Sequence, residues 1–363
     1  MKKSMVRSYL SKFAAAAMAA ALMAGCGSGG GNTTAAVTTA AGSGAETTAE
    51  QTGSAASEEK FTVGFSVLDM GAEFLVAMVQ GAQDTAEELG MEFILADCKL
   101  DAVKQTDQVN NFVAQGVDAI VIEPWDADAI VAAIKEANEA NIPVFTIDTS
   151  ASGGEVMCYT ASDNYKMGEM AAEYILEQLH ERYGEYKGKV VNLMASLTST
   201  SGTLRSQGFK DAVAKYPDVE IVAEQNTDLV VENALNVTMD ILQANDQIDA
   251  IWCSGDNNAL GANQAIEQLG RFKEASSEDH IIVASADGCS EILKAIRNKS
   301  VDACISQNPI TMGEMTIQMA YDYLKDGKTP ESEIAYCELY TITSENIDSE
   351  ATAQYGLWSE KIK

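Results

Sequence analysis

Histidine is nearly absent from this chain: His180 and His280 are the only two in 363 residues. Neither belongs to a His-x-x-x-His pair or a Cys/His set, so the common zinc sites are excluded. Both read as surface residues, His180 in the polar helix end 177–182 and His280 in the charged run before Ile281. Basic residues are also few, 24 Lys and Arg against 54 Asp and Glu, for a formal net charge of -30. Such a surface repels nucleic acid and anionic lipid. A DNA-reading regulator would need a helix pair before its first lobe, where this chain has other segments. The folded region holds no Gly-x-Ser-x-Gly elbow. Gly184-Glu-Tyr-Lys-Gly188-Lys189 is one residue short of a phosphate loop and precedes a strand, so it reads as a turn. No enzyme activity, metal or cofactor is expected, and any ATP hydrolysis belongs to another chain. Cysteine shows no C-x-x-C pattern. Cys98, Cys158, Cys253, Cys289, Cys304 and Cys337 read as small buried thiols, with disulfide pairing left open.

The N-terminus carries more information. Lys2, Lys3 and Arg7 precede an apolar run from Phe13 to Met23, which ends Leu22-Met23-Ala24-Gly25-Cys26. A basic start, a short apolar core and small residues at the cut form a secretory signal over 1–25. The run is too short for a comfortable membrane span of about 20 residues. Small residues directly before a cysteine resemble the bacterial lipoprotein box, which implies lipidation at Cys26 and anchoring on the outer face of the cytoplasmic membrane. Residues 33–57 are rich in Ala, Thr, Gly and Ser. They bury too little to offset their ordering, so 26–58 reads as a lipidated cysteine and flexible tether spanning roughly 30 Å.

The remaining stretch suits two lobes. Apolar runs at Phe61–Val67, Met91–Ala96, Val117–Ile122 and Val144–Ile147 alternate with helical patterns. The same order returns at Lys189–Ala195, Val219–Ala223, Ile248–Trp252 and Ile281–Ala286. Continuously apolar strands alternating with helices mean an α/β fold with parallel sheets covered on both faces, here twice over. Ligands of such sheets sit beyond the carboxyl ends of the strands. Asp148 and Asp287 stand at matching ends in the two halves, joined by Asp256 after the strand at Cys253 and by Glu123, Pro124 and Trp125 after Ile122. Arg205 falls in a Ser/Thr/Gly loop after Ala195. Met167, Met170, Met312 and Met315, at helical spacing, read as core.

Several stretches in one order resemble the type I periplasmic binding proteins of the ribose/galactose-type branch, from about Phe61 to Ile342. They are Gly81-Ala82-Gln83, Gly116-Val117-Asp118-Ala119-Ile120, Asn141-Ile142-Pro143-Val144 leading to Asp148, and Ala161-Ser162-Asp163-Asn164 with Met167-Gly168. Arg205-x-x-Gly208-Phe209, Asp256-x-x-Ala259-Leu260-Gly261, Ala286-Asp287-Gly288 and Gln307-Asn308-Pro309 with Met312-Gly313 follow. The resemblance implies two doubly wound lobes, 59–162 with 307–340 and 163–306 with 341–357. Three crossings near Ser162-Asp163, Gln307 and Thr341–Thr343 form the hinge. It implies a monomeric binder that closes on a sugar and hands it to an ABC permease with a separate ATPase. Asp148 and Asp287 would accept from sugar hydroxyls, Arg205 would donate, Gln307 would bond at the hinge and Phe74 would pack on an apolar sugar face. Thr149, Leu229 and Gly255 depart from the ribose pattern, as does Gly71-Ala72-Glu73-Phe74-Leu75; Trp125 or Asp69 would compensate. The competing expectation is a sensor for a non-sugar solute, such as a nucleoside or signal molecule, feeding a chemoreceptor or kinase.

Overall fold

The computed structural model describes residues 60–196 and 199–362. The signal, Cys26 and the tether lie outside them. The first half runs β1 (Thr62–Val67), α1 (Glu73–Glu88), β2 (Glu92–Asp97), α2 (Ala102–Gln115), β3 (Ala119–Ile122), α3 (Val131–Glu139), β4 (Val144–Ile147) and β5 (Tyr159–Ser162). The second runs α4 (Asn164–Tyr183), β6 (Gly188–Met194), α5 (Thr200–Val213), β7 (Val219–Asn226), α6 (Val231–Ala244) and β8 (Ala250–Cys253). It continues through α7 (Asp256–Gln268), β9 (Ile282–Asp287), α8 (Ser290–Arg297) and β10 (Ala303–Ser306). Then come α9 (Pro309–Asp326), β11 (Ile334–Cys337), β12 (Tyr340–Thr343), α10 (Glu350–Tyr355) and a 3-10 turn at Trp358–Glu360.

Two six-stranded sheets result, ordered β2-β1-β3-β4-β5-β11 and β7-β6-β8-β9-β10-β12. All described pairings are parallel except β10 with β12. Alternate residues of one strand feed opposite faces. Ala250 and Trp252 join the core under α4 and α5, while Ile251 and Cys253 join the core under α6, α7 and α8. Both faces are therefore dry, which explains the unbroken apolar strands. Met167 and Met312 are fully buried, and Met170 and Met315 pack against the cores, as helical spacing suggests.

The chain crosses between the sheets three times. Ser162 ends β5, and Asp163 caps α4 by accepting from Lys166 N. Gln307 and the α9 cap Asn308 leave β10, with Pro309 beginning the helix. The third crossing is at 338–339, because β11 pairs with β5 and β12 already pairs with β10. The expected position at Thr341–Thr343 is thus too late: those residues belong to the second sheet. His280 also departs from expectation. It is 6% exposed, with Nδ1 against Lys273 O at 2.8 Å and Nε2 against Asp302 Oδ1 at 2.8 Å. Burial lowers its pKa, but the Asp302 carboxylate and the Lys273 carbonyl together raise it overall. A charged neighbourhood in sequence did not mean an exposed ring.

The glycines of the sequence motifs are helix crossings. A Cβ on Gly168 of α4 would lie 2.0 Å from Arg205 O of α5, and one on Gly208 2.0 Å from Tyr165 O. In the first lobe, Gly81 of α1 and Gly313 of α9 make the same exchange, each 2.2 Å from a backbone oxygen of the other helix. The α4–α5 approach sets where Arg205 stands. Gly168→Ala should force these helices apart, lowering stability by about 1–3 kcal/mol. Thermal unfolding checks this, and an unchanged melting temperature would mean the crossing is loose.

Candidate functional site

A cleft of about 1140 Å³ lies between the carboxyl ends of the two sheets and draws lining residues from both lobes. Arg205 forms its wall on the second lobe. It stands on α5 and not in a loop: Ser199 caps that helix by accepting from Gly202 N, and packing on α4 overrides the weak helix propensity of Thr200-Ser-Gly-Thr. Arg205 is 6% exposed. Nε donates to Asn164 Oδ1 at 2.8 Å, and Nη1 donates to Ser254 O at 2.9 Å and Asp287 Oδ1 at 2.8 Å. Among the described residues these three acceptors leave the two Nη2 hydrogens for a ligand.

Asp287 ends β9 with φ 94°. Its Oδ1 also accepts from Gln307 Nε2 at 2.6 Å, so a hinge residue and a lobe residue share one carboxylate oxygen. Its carbonyl accepts from Trp358 Nε1 at 3.0 Å. The other oxygen, Oδ2, takes no hydrogen bond from the described residues, and Asp287 lines the cleft.

Asp148 is its counterpart in the first lobe. It follows β4 with φ 58°, and its backbone is held by Thr160 O at 2.8 Å and by Tyr159 Oη at 2.6 Å. Its carboxylate takes no hydrogen bond from the described residues. Burial pushes its pKa up to about 6; the Arg205 charge opposes the rise and the Asp287 carboxylate adds to it. Glu123, behind it, is fully buried and rises well above the usual carboxylate range, through burial first and then Asp148 and Asp69.

Phe74 and Trp125 line the same cleft, Trp125 at 47% exposure. The Trp125 loop is fixed from below, since Trp125 N donates to Gln105 Oε1 at 2.9 Å. Asp256 reaches the cleft but turns inward. Its carboxylate accepts from Ser285 Oγ, Gly288 N at 2.9 Å and Cys289 N at 2.6 Å, and it is 5% exposed. It braces the turn after Asp287 instead of facing a solute. Asp69 closes its own turn by accepting from Gly71 N at 3.0 Å and is not among the lining residues. Trp358 was missed. It lies beyond the stretch of resemblance and beyond the expected lobe end at 357; a tryptophan in a short polar tail was the available signal.

The lobes also touch at the rim. Glu73 of α1 accepts from Ser290 N at 3.1 Å and Ser290 Oγ at 2.7 Å, so a first-lobe carboxylate caps the second-lobe helix α8. Beside it Phe74 meets Trp358 edge to face, centroids 5.9 Å apart. A smaller cavity of about 290 Å³ between α9 and 328–332 contains none of the expected site residues.

Ionised Asp148 opposes folding, because its folded pKa of about 6 lies above the unfolded value near 4. Its contribution improves as pH falls from about 6 toward 4. Asp148→Asn should therefore stabilise the ligand-free protein at pH 7.5 by about 1–2 kcal/mol, allowing for cleft water, and the gain should fade by pH 4.5. Unfolding curves at both pH values check it; a loss of stability at pH 7.5 would give the carboxylate a structural task.

A family model described as periplasmic binding protein domain matches residues 63–329. The chain is 32% identical over 289 residues to the ribose import binding protein RbsB of Bacillus subtilis (strain 168), covering 79% of this chain and 90% of that protein. Its namesake in Escherichia coli (strain K12) is 31% identical over 277 residues, covering 76% and 89%. Among solved structures, a galactofuranose binding protein superposes with a TM-score of 0.67 at 27% identity, covering 83% of this chain and 98% of that one. The periplasmic ribose ABC transporter protein of Conexibacter woesei DSM 14684 shares the fold, with a TM-score of 0.74 at 24% identity and coverage of 84% and 98%.

Proposed function

We propose that this chain, which belongs to the periplasmic binding protein family, captures a monosaccharide-like polyol between its lobes and delivers it to the permease of an ABC importer. The observation that carries the ligand class is the Asp148 carboxylate, without a hydrogen bond from the described residues, across the cleft from the bonded Arg205–Asp287–Gln307 set. Buried charges whose remaining valences point into a cleft suit hydroxyl groups, because charge-assisted hydrogen bonds are the strong ones. The relatives named for ribose and galactofuranose favour the same class. Phe74 and Trp125 supply apolar faces for a sugar ring. Asp148, Arg205, Asp287 and Gln307 are the direct contacts in this reading, and Asp256 acts behind them.

The role is binding and handover, without catalysis. The three short crossings serve as the hinge, and the chain works as a monomer. It is exported, and in this reading Cys26 carries the lipid that holds it near its permease while the tether lets it move. An intact-mass measurement on the membrane-derived protein checks the anchor: the mature chain should begin at a diacylated Cys26, and an unmodified cysteine would remove it.

The ligand is tested by mass spectrometry of small molecules released on denaturing the natively purified protein. A sugar is expected. A nucleoside or amino acid would move the assignment toward the solute-sensing alternative. Asp148→Ala and Asp287→Ala should each weaken binding of that sugar by at least ~2 kcal/mol in calorimetry. Near-parental affinity for both would remove them from the site.

A further inference from the structure

Leu229 lines one corner of the cleft at 39% exposure, and Leu204, next to Arg205 on α5, lines the cleft at 40%. Leu229 has φ 55° and the preceding Asp228 has φ 53°. A leucine seldom adopts this left-handed conformation, which costs it roughly 1–2 kcal/mol. The loop is pinned in place nonetheless. Thr227 Oγ1 donates to Asn258 Oδ1 at 2.6 Å, Asn233 Nδ2 to Thr227 O at 3.3 Å, and Asn257 Nδ2 to Leu229 O at 2.9 Å. Burial does not account for an exposed leucine held this way. A backbone outlier at a ligand cleft, fixed by its surroundings, points to what it presents.

What it presents is the tip of its side chain. A Cβ on Gly255 would stand 2.4 Å from Leu229 Cδ2 and 3.5 Å from Asp287 Oδ2. Leu229 thus fills the space that a polar side chain at 255 would need, next to the open oxygen of Asp287. A ligand hydroxyl turned toward the Leu229 methyl groups, and away from Asp287 Oδ2, would lose water and gain no partner there. A carbon group there would bury apolar surface. The cleft as a whole, at about 1140 Å³, is larger than the roughly 300–1,000 Å³ usual even for drug-sized ligands.

We propose that the cleft selects a sugar bearing an apolar carbon group, held against Leu229, over the parent sugar with a hydroxyl at that place. The inference rests on the sugar-binding reading above. The group is either a methyl left by deoxygenation or an alkyl substituent on a glycosidic oxygen; the shared chemistry is a polyol with one hydrocarbon end.

Calorimetric titration of the full chain with matched pairs tests it. One arm compares D-galactose with 6-deoxy-D-galactose and L-mannose with 6-deoxy-L-mannose. The other compares D-ribose and D-galactose with both anomers of their methyl glycosides. In at least one pair the member with a methyl in place of the hydroxymethyl group, or on the glycosidic oxygen, should bind about tenfold or more tightly, as an apolar pocket that takes a methyl or excludes a hydroxyl allows. The arm in which this happens identifies the source of the group. Leu229→Asn should reverse that preference, since Asn tolerates positive φ and brings an amide to the corner. Parents that bind as tightly as their derivatives in every pair would overturn the proposal, as would a preference that survives Leu229→Asn in a normally folded variant. Absence of binding by parents and derivatives alike, together with a released ligand that is not a sugar, would remove the sugar reading, and this inference with it.

Discussion

A guanidinium withdrawn from water must find acceptors for its hydrogens, and the second lobe is arranged around that need at Arg205. Its partners come from the start of α4, the turn after β8 and the end of β9. One side chain therefore locks three elements into a single wall. The backbone approaches at Gly168 and Gly208 are what let α5 come close enough to α4 for the Asn164 bond to form. Asp287 keeps its positive φ because its carbonyl is held by Trp358 and its carboxylate by Arg205 and Gln307.

Asp148 and Asp287 solve one problem in two ways. Each lies at the carboxyl end of a parallel strand and uses a positive φ to turn out of the sheet, a conformation aspartate bears better than most residues. Asp287 is neutralised in advance by Arg205. Asp148 is not, and burial lifts its pKa. One lobe is thus prearranged, while the other holds an ionisable group whose unfavourable setting a bound hydroxyl would relieve. Buried carboxylates without partners reduce the stability of a fold, and they are retained where binding needs them.

The alternation of apolar runs made both lobes legible, and matching strand ends made Asp148 and Asp287 legible together. What the sequence pattern could not convey was direction. Asp256 occupies a strand end as well, yet its carboxylate points back at Gly288 and Cys289. Spacing alone does not distinguish a brace from a contact. Arg205 was expected in a loop because Ser, Thr and Gly are poor helix formers; the tertiary contact with α4 decided otherwise. His280 was expected at the surface because its neighbours are charged, but one of them, Asp302, is its buried partner across 22 residues. Trp358 was invisible to any argument that ended with the repeated lobes, since it enters the cleft from the C-terminal tail.

Glu73 binds the second lobe through the bare N-terminus of a helix, and this makes separation of the lobes an electrostatic event as well as a mechanical one. With the rim joined, a carboxylate and the positive end of α8 cancel each other. With the rim parted, the Glu73 carboxylate loses its partner and Ser290 loses the acceptor of its N–H and hydroxyl. The two forms then offer a docking surface different patterns of charge at one edge.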